Sequence, residues 1–260
     1  NEENVVIDPP KPLQTVEISG NAFCFQADEN KMVVSSIRDY HQGLLACYDL
    51  NTLQKIHNIR LLPNQRKDPT VRSLQFLGWS FLGSSEKGAL LFDMRDGIGR
   101  RELYMSASKV AVTQVSMSGN HVAIGDFANK ISLFDLRKPS SSLFEFTLEY
   151  EADRGVYVRG MRLDGSLLFS LHNRNQYQDY SQTRVMCWDV GSGVGRECGV
   201  ITKKEGIRSK VNCFDVSFGS APVILTGHGE IGGPEEGNCV MCWSPNTTSS
   251  RRSLLKDRYF

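Results

Sequence analysis

No stretch of this chain stays apolar for the roughly 20 residues that a bilayer-spanning helix requires, and no long segment repeats its apolar residues at helical period. A membrane span through a helix and a helical bundle are both set aside. Charge of one sign is not in excess either. Thirty Lys and Arg face 29 Asp and Glu, so the net +1 supplies no general field for a polyanion, and nucleic acid is not an expected partner. The seven cysteines are an odd number, scattered mostly through apolar strand-like runs. That distribution reads as reduced core thiols, which favours an intracellular setting, cytoplasmic or nuclear, over a disulfide-framed secreted one. The chain opens at Asn1 without a signal-like apolar stretch, and is expected to be a piece of a longer protein.

Catalytic and metal signatures are also scarce. Cys239 and Cys242 form a single C-x-x-C, but residues three apart on a strand point to opposite faces, and no histidine pair stands at zinc spacing. Neither a metal nor another cofactor is expected. A G-x-S-x-G nucleophile elbow is missing. The glycine-rich run from Gly227 to Pro234 lacks the Lys-Ser/Thr of a phosphate loop and opens no helix. Five histidines are dispersed, and only His172 and His228, with Glu230 nearby, suggest an acid–base set across neighbouring segments. The reading is therefore not an enzyme, with a hydrolase-type pocket as the alternative.

What the chain has is repetition. Five segments end in an apolar run, an aromatic and then an aspartate or its equivalent: GLLACYDL (43–50), GALLFDMR (88–95), KISLFDLR (130–137), TRVMCWDV (183–190) and NCVMCWSP (238–245). Asp49, Asp93, Asp135, Asp189 and Ser244 follow one another at 44, 42, 54 and 55 residues. Such a period belongs to a four-stranded unit repeated around an axis. Two strand-like runs precede each closing segment, joined by turn signals such as Asp28-Glu29-Asn30, Ser118-Gly119-Asn120 and Asp164-Gly165-Ser166. A more polar fourth strand follows most of them, as in LQKIHNIRL (53–61) and RECGVIT (196–202). The residues just before the closing aromatics, Cys47, Leu91, Leu133, Cys187 and Cys242, are small or apolar and suit packing between adjacent sheets.

The fold expected is all-β, a single domain over 1–260 built from repeats at about 21–61, 71–107, 110–150, 156–202 and 210–255. The pattern resembles the WD40-repeat family over roughly residues 15–250. It is carried by Tyr48-Asp49, Phe92-Asp93, Phe134-Asp135, Trp188-Asp189 and the degraded Trp243-Ser244. The resemblance implies a β-propeller of four-stranded antiparallel blades, with five repeats visible and six or seven if further chain completes the ring. It also implies an Asp–His–Ser/Thr–Trp network inside each blade. The family's Gly-His dipeptide is absent from its usual place between blades, and Gly227-His228 stands instead after the second strand of the fifth repeat. The segment LQTVEIS (13–19) reads as an outer strand available to complete the last blade and close the ring.

Long polar segments, among them the loops expected at 38–42, 172–182 and 228–237, gather at the end where second strands turn into third strands and where one blade leads to the next. That end displays Arg38, Tyr40, His41, Arg66, Lys67, Arg154, Arg174, Tyr177, Tyr180, Lys203, Lys204 and Arg208. Arginine with tyrosine is the composition of protein-interaction hot spots, and loops on a rigid β scaffold are where binding residues concentrate. The expected function is a non-catalytic scaffold or adaptor that binds a protein or peptide. Family resemblance extends this to a substrate receptor in a larger assembly such as a ubiquitin ligase. Polyanion or phospholipid binding through Arg66, Lys203, Lys204 and Arg208 is a further alternative, weakened by the near-zero net charge.

Overall fold

The computed structural model describes residues 15, 17, 18, 20–38, 42–61, 71–85, 88–95, 99–105, 110–148, 156–174, 182–202, 209–218, 222–230 and 239–243. Within them every helix or strand is a strand, and the strands form five antiparallel sheets in chain order. The first blade holds β1 (Asn21–Ala27), β2 (Lys31–Arg38), β3 (Gln42–Asp49) and β4 (Lys55–Leu61). The second holds β5 (Leu74–Leu77), β6 (Ser80–Ser85), β7 (Gly88–Asp93) and β8 (Gly99–Met105). The third holds β9 (Val112–Ser118), β10 (His121–Asp126), β11 (Lys130–Asp135) and β12 (Phe144–Thr147). The fourth holds β13 (Val156–Asp164), β14 (Leu167–Arg174), β15 (Gln182–Asp189) and β16 (Gly195–Thr202). The fifth has three described strands, β17 (Ser209–Ser217), β18 (Val223–Glu230) and β19 (Cys239–Trp243). The first strands of successive blades lie beside one another, β1 by β5, β5 by β9, β9 by β13 and β13 by β17.

The recurring aspartate is a turn device. Asp49 Oδ1 accepts the backbone N–H of Asn51 at 2.7 Å, Asp93 that of Arg95 at 2.9 Å, Asp135 that of Arg137 at 2.9 Å and Asp189 that of Ser192 at 2.7 Å. Each thereby tightens the hairpin from third to fourth strand. Hydrogen bonds from the Arg95 and Arg137 guanidinium groups hold the Asp93 and Asp135 carboxyls down at about 2. The glycine turns read from the sequence behave likewise, with Gly119 and Gly165 at φ of 56° and 53°.

The closing aromatic looks back at the preceding blade. Phe92 packs with Val33, Leu45 and Cys47 of the first blade, Phe134 with Leu82 and Ala89 of the second, and Trp188 with Ala123, Ile131 and Leu133 of the third. Cys187 and Val185, on the opposite face of the fourth sheet, meet Val211, Val216 and Ile224 of the fifth. Alternation along each third strand supplies both faces, because successive side chains point to opposite sides.

First strands of adjacent blades share no ladder, and short polar side chains take over that task. The Gln75 amide brackets Met117, accepting its N–H and donating to its carbonyl, both at 2.7 Å. Thr113 Oγ1 lies 2.6 Å from the Val158 carbonyl, Ser116 Oγ accepts the Leu163 N–H at 2.9 Å and Ser118 Oγ that of Gly165 at 3.0 Å. Between the fourth and fifth blades Gly160 makes room for Phe214, since a Cβ there would stand 2.7 Å from Phe214 Cβ.

A buried hydrogen-bonded chain joins the third and fourth blades. Trp188 Nε1 donates to Ser170 Oγ at 2.8 Å, Ser170 Oγ meets His172 Nε2 at 2.7 Å, and His172 Nδ1 meets Asn129 Oδ1 at 2.5 Å. Asn129 Nδ2 donates onward to the Leu148 carbonyl at 2.8 Å. Only one proton arrangement satisfies every member. Asn129 Oδ1 must accept, so Nδ1 carries the imidazole proton and Nε2 accepts from the Ser170 hydroxyl. The network implied within each blade is thus present in the fourth in altered form. Its histidine comes from the second strand, two residues after the serine, and its last member from the turn of the blade before.

That placement corrects two expectations. His172 was read as the start of a loop, yet it is a residue of β14 with 0% exposure. His228 likewise belongs to β18, which runs on to Glu230. Of the segment 13–19, residues 15, 17 and 18 lie outside any strand, and Ile18 packs on Val34, Ala46 and Tyr48 of the first blade; the rest of that segment lies outside the described residues.

The first blade is covered unevenly. Its aromatic-bearing face buries Val34, Ala46 and Tyr48, but Phe25 on β1 is 71% exposed. At the matching register the second, third and fourth blades place Leu74, Val115 and Met161, at 7%, 3% and 4%.

Burial holds His172 down at about 4, below the ordinary 6.5 of the unfolded chain. The unfolded state therefore binds the extra proton first, and stability is complete above pH 6.5 and falls as pH drops toward 4. Denaturant titrations across that window are expected to lose up to about 3 kcal/mol, with the slope flattened in His172→Gln. Ser170→Ala, which strands the Trp188 N–H and His172 Nε2 together, is expected to cost about 2–4 kcal/mol in the same assay. Gly160→Ala forces the first strands of blades four and five apart, and a loss of about 1–3 kcal/mol in chemical denaturation is expected.

Candidate functional site

The strand directions fix two ends of the molecule. Turns from first to second strand and from third to fourth lie at one end. Connections from second to third strand, and from one blade to the next, lie at the other. Arg38 closes β2 and Arg174 closes β14, and both stand at this second end. Tyr40, His41, Arg66, Lys67, Arg154, Tyr177, Tyr180, Lys203, Lys204 and Arg208 lie outside the described residues.

At the same end the described residues form a cluster that sequence reasoning missed. Arg72 sits in the segment that leads into β5, Phe127 in the turn between β10 and β11, and Tyr157 near the start of β13. The Arg72 guanidinium carbon stands 5.8 Å from the centre of the Phe127 ring, a cation–π distance. The Phe127 and Tyr157 rings are 5.5 Å apart, tilted by 39°. Three consecutive blades each contribute one member. Phe127 is 41% exposed while Tyr157 is buried beneath it.

The turn that presents Phe127 is rigid. Asp126 Oδ1 accepts the N–H groups of Ala128 and Lys130 at 2.8 and 3.0 Å, and the Phe127 N–H bonds the Ala111 carbonyl at 3.1 Å. Asn129, in the left-handed region at φ 63°, completes the turn and reaches down to His172. The buried chain of the fourth blade therefore anchors the exposed ring from below. The sequence signal for it is the tight Asp126-Phe-Ala-Asn129 turn, which is far shorter than the polar segments at the same end.

Acid–base chemistry finds less support. His172 is sealed between Ser170 and Asn129 with its pKa depressed, so it is not placed to exchange protons with a substrate. His228 and Glu230 are strand residues, paired through the backbone with Val211 and Ser209. Cys239 and Cys242 stand three residues apart in the continuous strand β19. Among the described residues no group of three His, Cys, Asp or Glu side chains converges on a common point. No described helix is long and apolar enough to cross a membrane.

No protein-family model matches the chain, and no curated protein matches it in sequence. Solved structures do. It is similar to the structure of U3-55K, with a TM-score of 0.59 at 10% identity over 88% of this chain and 63% of that one. The crystal structure of the RRP9 WD40 repeats gives 0.61 at 10% identity, over 89% and 62%. The Saccharomyces cerevisiae Sqt1 structure gives 0.54 at 14% identity, over 79% and 56%. The chain therefore spans less than two thirds of each of these proteins. Antiparallel blades in chain order, aromatics packed on the blade before, and this overlay together establish that the chain has the WD40-type β-propeller fold.

Proposed function

We propose that the chain is a non-catalytic interaction scaffold or adaptor that docks a protein or peptide on the end bearing Arg72, Phe127 and Tyr157. The observation that carries this reading is the cluster itself. An exposed aromatic, backed by a buried one and capped by a guanidinium, spans three blades that are tethered to one another. Such a surface is preorganised, so binding loses little to ordering of the scaffold. Arg38 and Arg174 extend the same end, and the reading takes in Tyr40, His41, Arg66, Lys67, Arg154, Tyr177, Tyr180, Lys203, Lys204 and Arg208 on the sequence expectation alone.

A protein partner accounts for this composition better than a polyanion does, since the net charge is +1 and the central feature is aromatic. The free thiols of Cys24, Cys47, Cys187, Cys198, Cys213 and Cys242 support a reducing, intracellular location. Within a larger assembly, such as a ubiquitin ligase, the same face would act as a substrate receptor.

Partner capture by the wild type and by Phe127→Ala/Arg72→Ala tests the assignment, with retained thermal stability as the folding control. Loss of each hot-spot side chain is expected to weaken binding by more than about 1 kcal/mol, so the pair should lower recovery at least tenfold. A second pair, Arg174→Ala/Tyr177→Ala, probes the rim of the same end. Undiminished capture by both pairs removes the assigned face. Turnover of ester, lactone or phosphate substrates by the wild type would overturn the non-catalytic reading.

A further inference from the structure

Two cysteines that the docking surface leaves unused meet on the fourth blade. Cys187 in β15 stands opposite Arg196 in β16. The register then slips: Met186 faces Glu197 while Val185 faces Gly199, which leaves Cys198 as the extra residue of a bulge. A bulge places two residues against one and re-aims the extra side chain. Here it turns Cys198 onto the apolar surface that holds Cys187, Val185 and Phe169, so that the two thiols lie side by side, with Cys198 Sγ 4.0 Å from the Arg196 carbonyl. Cys187 is buried, at 4% exposure, whereas Cys198 is half-buried and opens the pair to solvent.

We propose that Cys187 and Cys198 are an oxidative modification site, a dithiol that a peroxide converts into a disulfide between the third and fourth strands of blade four. The pair shares its protons unequally. Donation from the Cys198 thiol, helped by the Arg196 guanidinium, draws the Cys187 thiol down to about 7 against the opposing effects of burial and Asp189. Cys198, as the donor beside a thiolate, is correspondingly held in its protonated form. The adjacency of the two sulfurs makes them a pair, and the lowered Cys187 thiol is taken as nucleophile with Cys198 as the resolving thiol.

In the first step the Cys187 thiolate attacks one oxygen of hydrogen peroxide. The O–O bond breaks, a sulfenic acid forms, and the departing hydroxide takes a proton to leave as water. In the second step Cys198 sulfur attacks the sulfenic sulfur, and the displaced hydroxide leaves as water with the Cys198 proton. Two thiols and one peroxide thus give one disulfide and two waters, the two electrons passing from sulfur to oxygen. The buried Cys24 and Cys47 are poor competitors for this chemistry. Burial raises the Cys24 thiol to about 12 and the Cys47 thiol to about 11, so neither supplies much thiolate near neutrality.

Tryptic cleavage after Arg184, Arg196 and Lys203 places Cys187 in the peptide 185–196 and Cys198 in 197–203. The experiment exposes the whole chain to sub-stoichiometric hydrogen peroxide at pH 7, blocks free thiols, digests and identifies peptides by mass. The expected result is a disulfide-linked 185–196/197–203 pair, separated by dithiothreitol. It should form about tenfold or more faster than any adduct at Cys24 or Cys47. Cys198→Ser, a change at a half-buried position, should abolish the linked pair and leave a dimedone-reactive sulfenic acid on Cys187. Recovery of both peptides with free thiols under conditions that oxidise the exposed Cys213 overturns the proposal. So does a Cys187 that takes up no dimedone in the Cys198→Ser variant.

Discussion

Sheets that radiate from an axis cannot hydrogen-bond to one another through their first strands, and everything else in this molecule depends on how that deficit is met. The remedy is side-chain-to-backbone bonding from one blade to the next. Gln75 closes a two-bond ring on Met117, while Thr113 and Ser116 hold Val158 and Leu163 of β13 and Ser118 holds Gly165 in the turn after it. Each bond contributes only about 1 kcal/mol, but each also fixes register, which apolar packing alone leaves free to slide. With register fixed, the closing aromatics fall onto the apolar residues of the preceding sheet, and the interfaces can pack densely.

The fourth blade carries the strongest of these linkages. Its buried chain from Trp188 through Ser170 and His172 to Asn129 is satisfied at every atom, and a fully satisfied polar network in low dielectric specifies one arrangement rather than several. The same Asn129 shapes the turn that raises Phe127. Core order and surface presentation are therefore one construction at this point, and the aromatic of the docking surface inherits its rigidity from a histidine that never meets solvent.

Much of this architecture was legible in the sequence because it rests on local chemistry. The aromatic-Asp closures marked third strands, since the aspartate caps the following hairpin whatever the rest of the chain does. Glycine turns at Gly119 and Gly165 fixed the first-to-second-strand hairpins for the same reason. The tethers were not legible. Ser116 or Gln75 in a strand looks like any outward polar residue until the neighbouring backbone is in place. His172 was misplaced because a polar run, His172-Asn173-Arg174, hides the continuation of a strand whose partner is Thr183 and Arg184. The Arg72, Phe127 and Tyr157 cluster joins positions far apart in the chain, and no periodicity connects them.

Phe25 has a meaning beyond its own blade. At three junctions one recipe recurs, an aromatic-bearing face laid on the apolar face of the blade before, and β1 still offers the first half of that recipe to water. Apolar area left in this way costs about 25 cal/mol per Å² until something covers it. Any sheet bearing the matching half would be accepted without redesign of the contact. A gene of this kind can gain or lose a unit by duplication or deletion and keep every junction sound, so curvature, and not side-chain recognition, dictates how many units a closed circle holds.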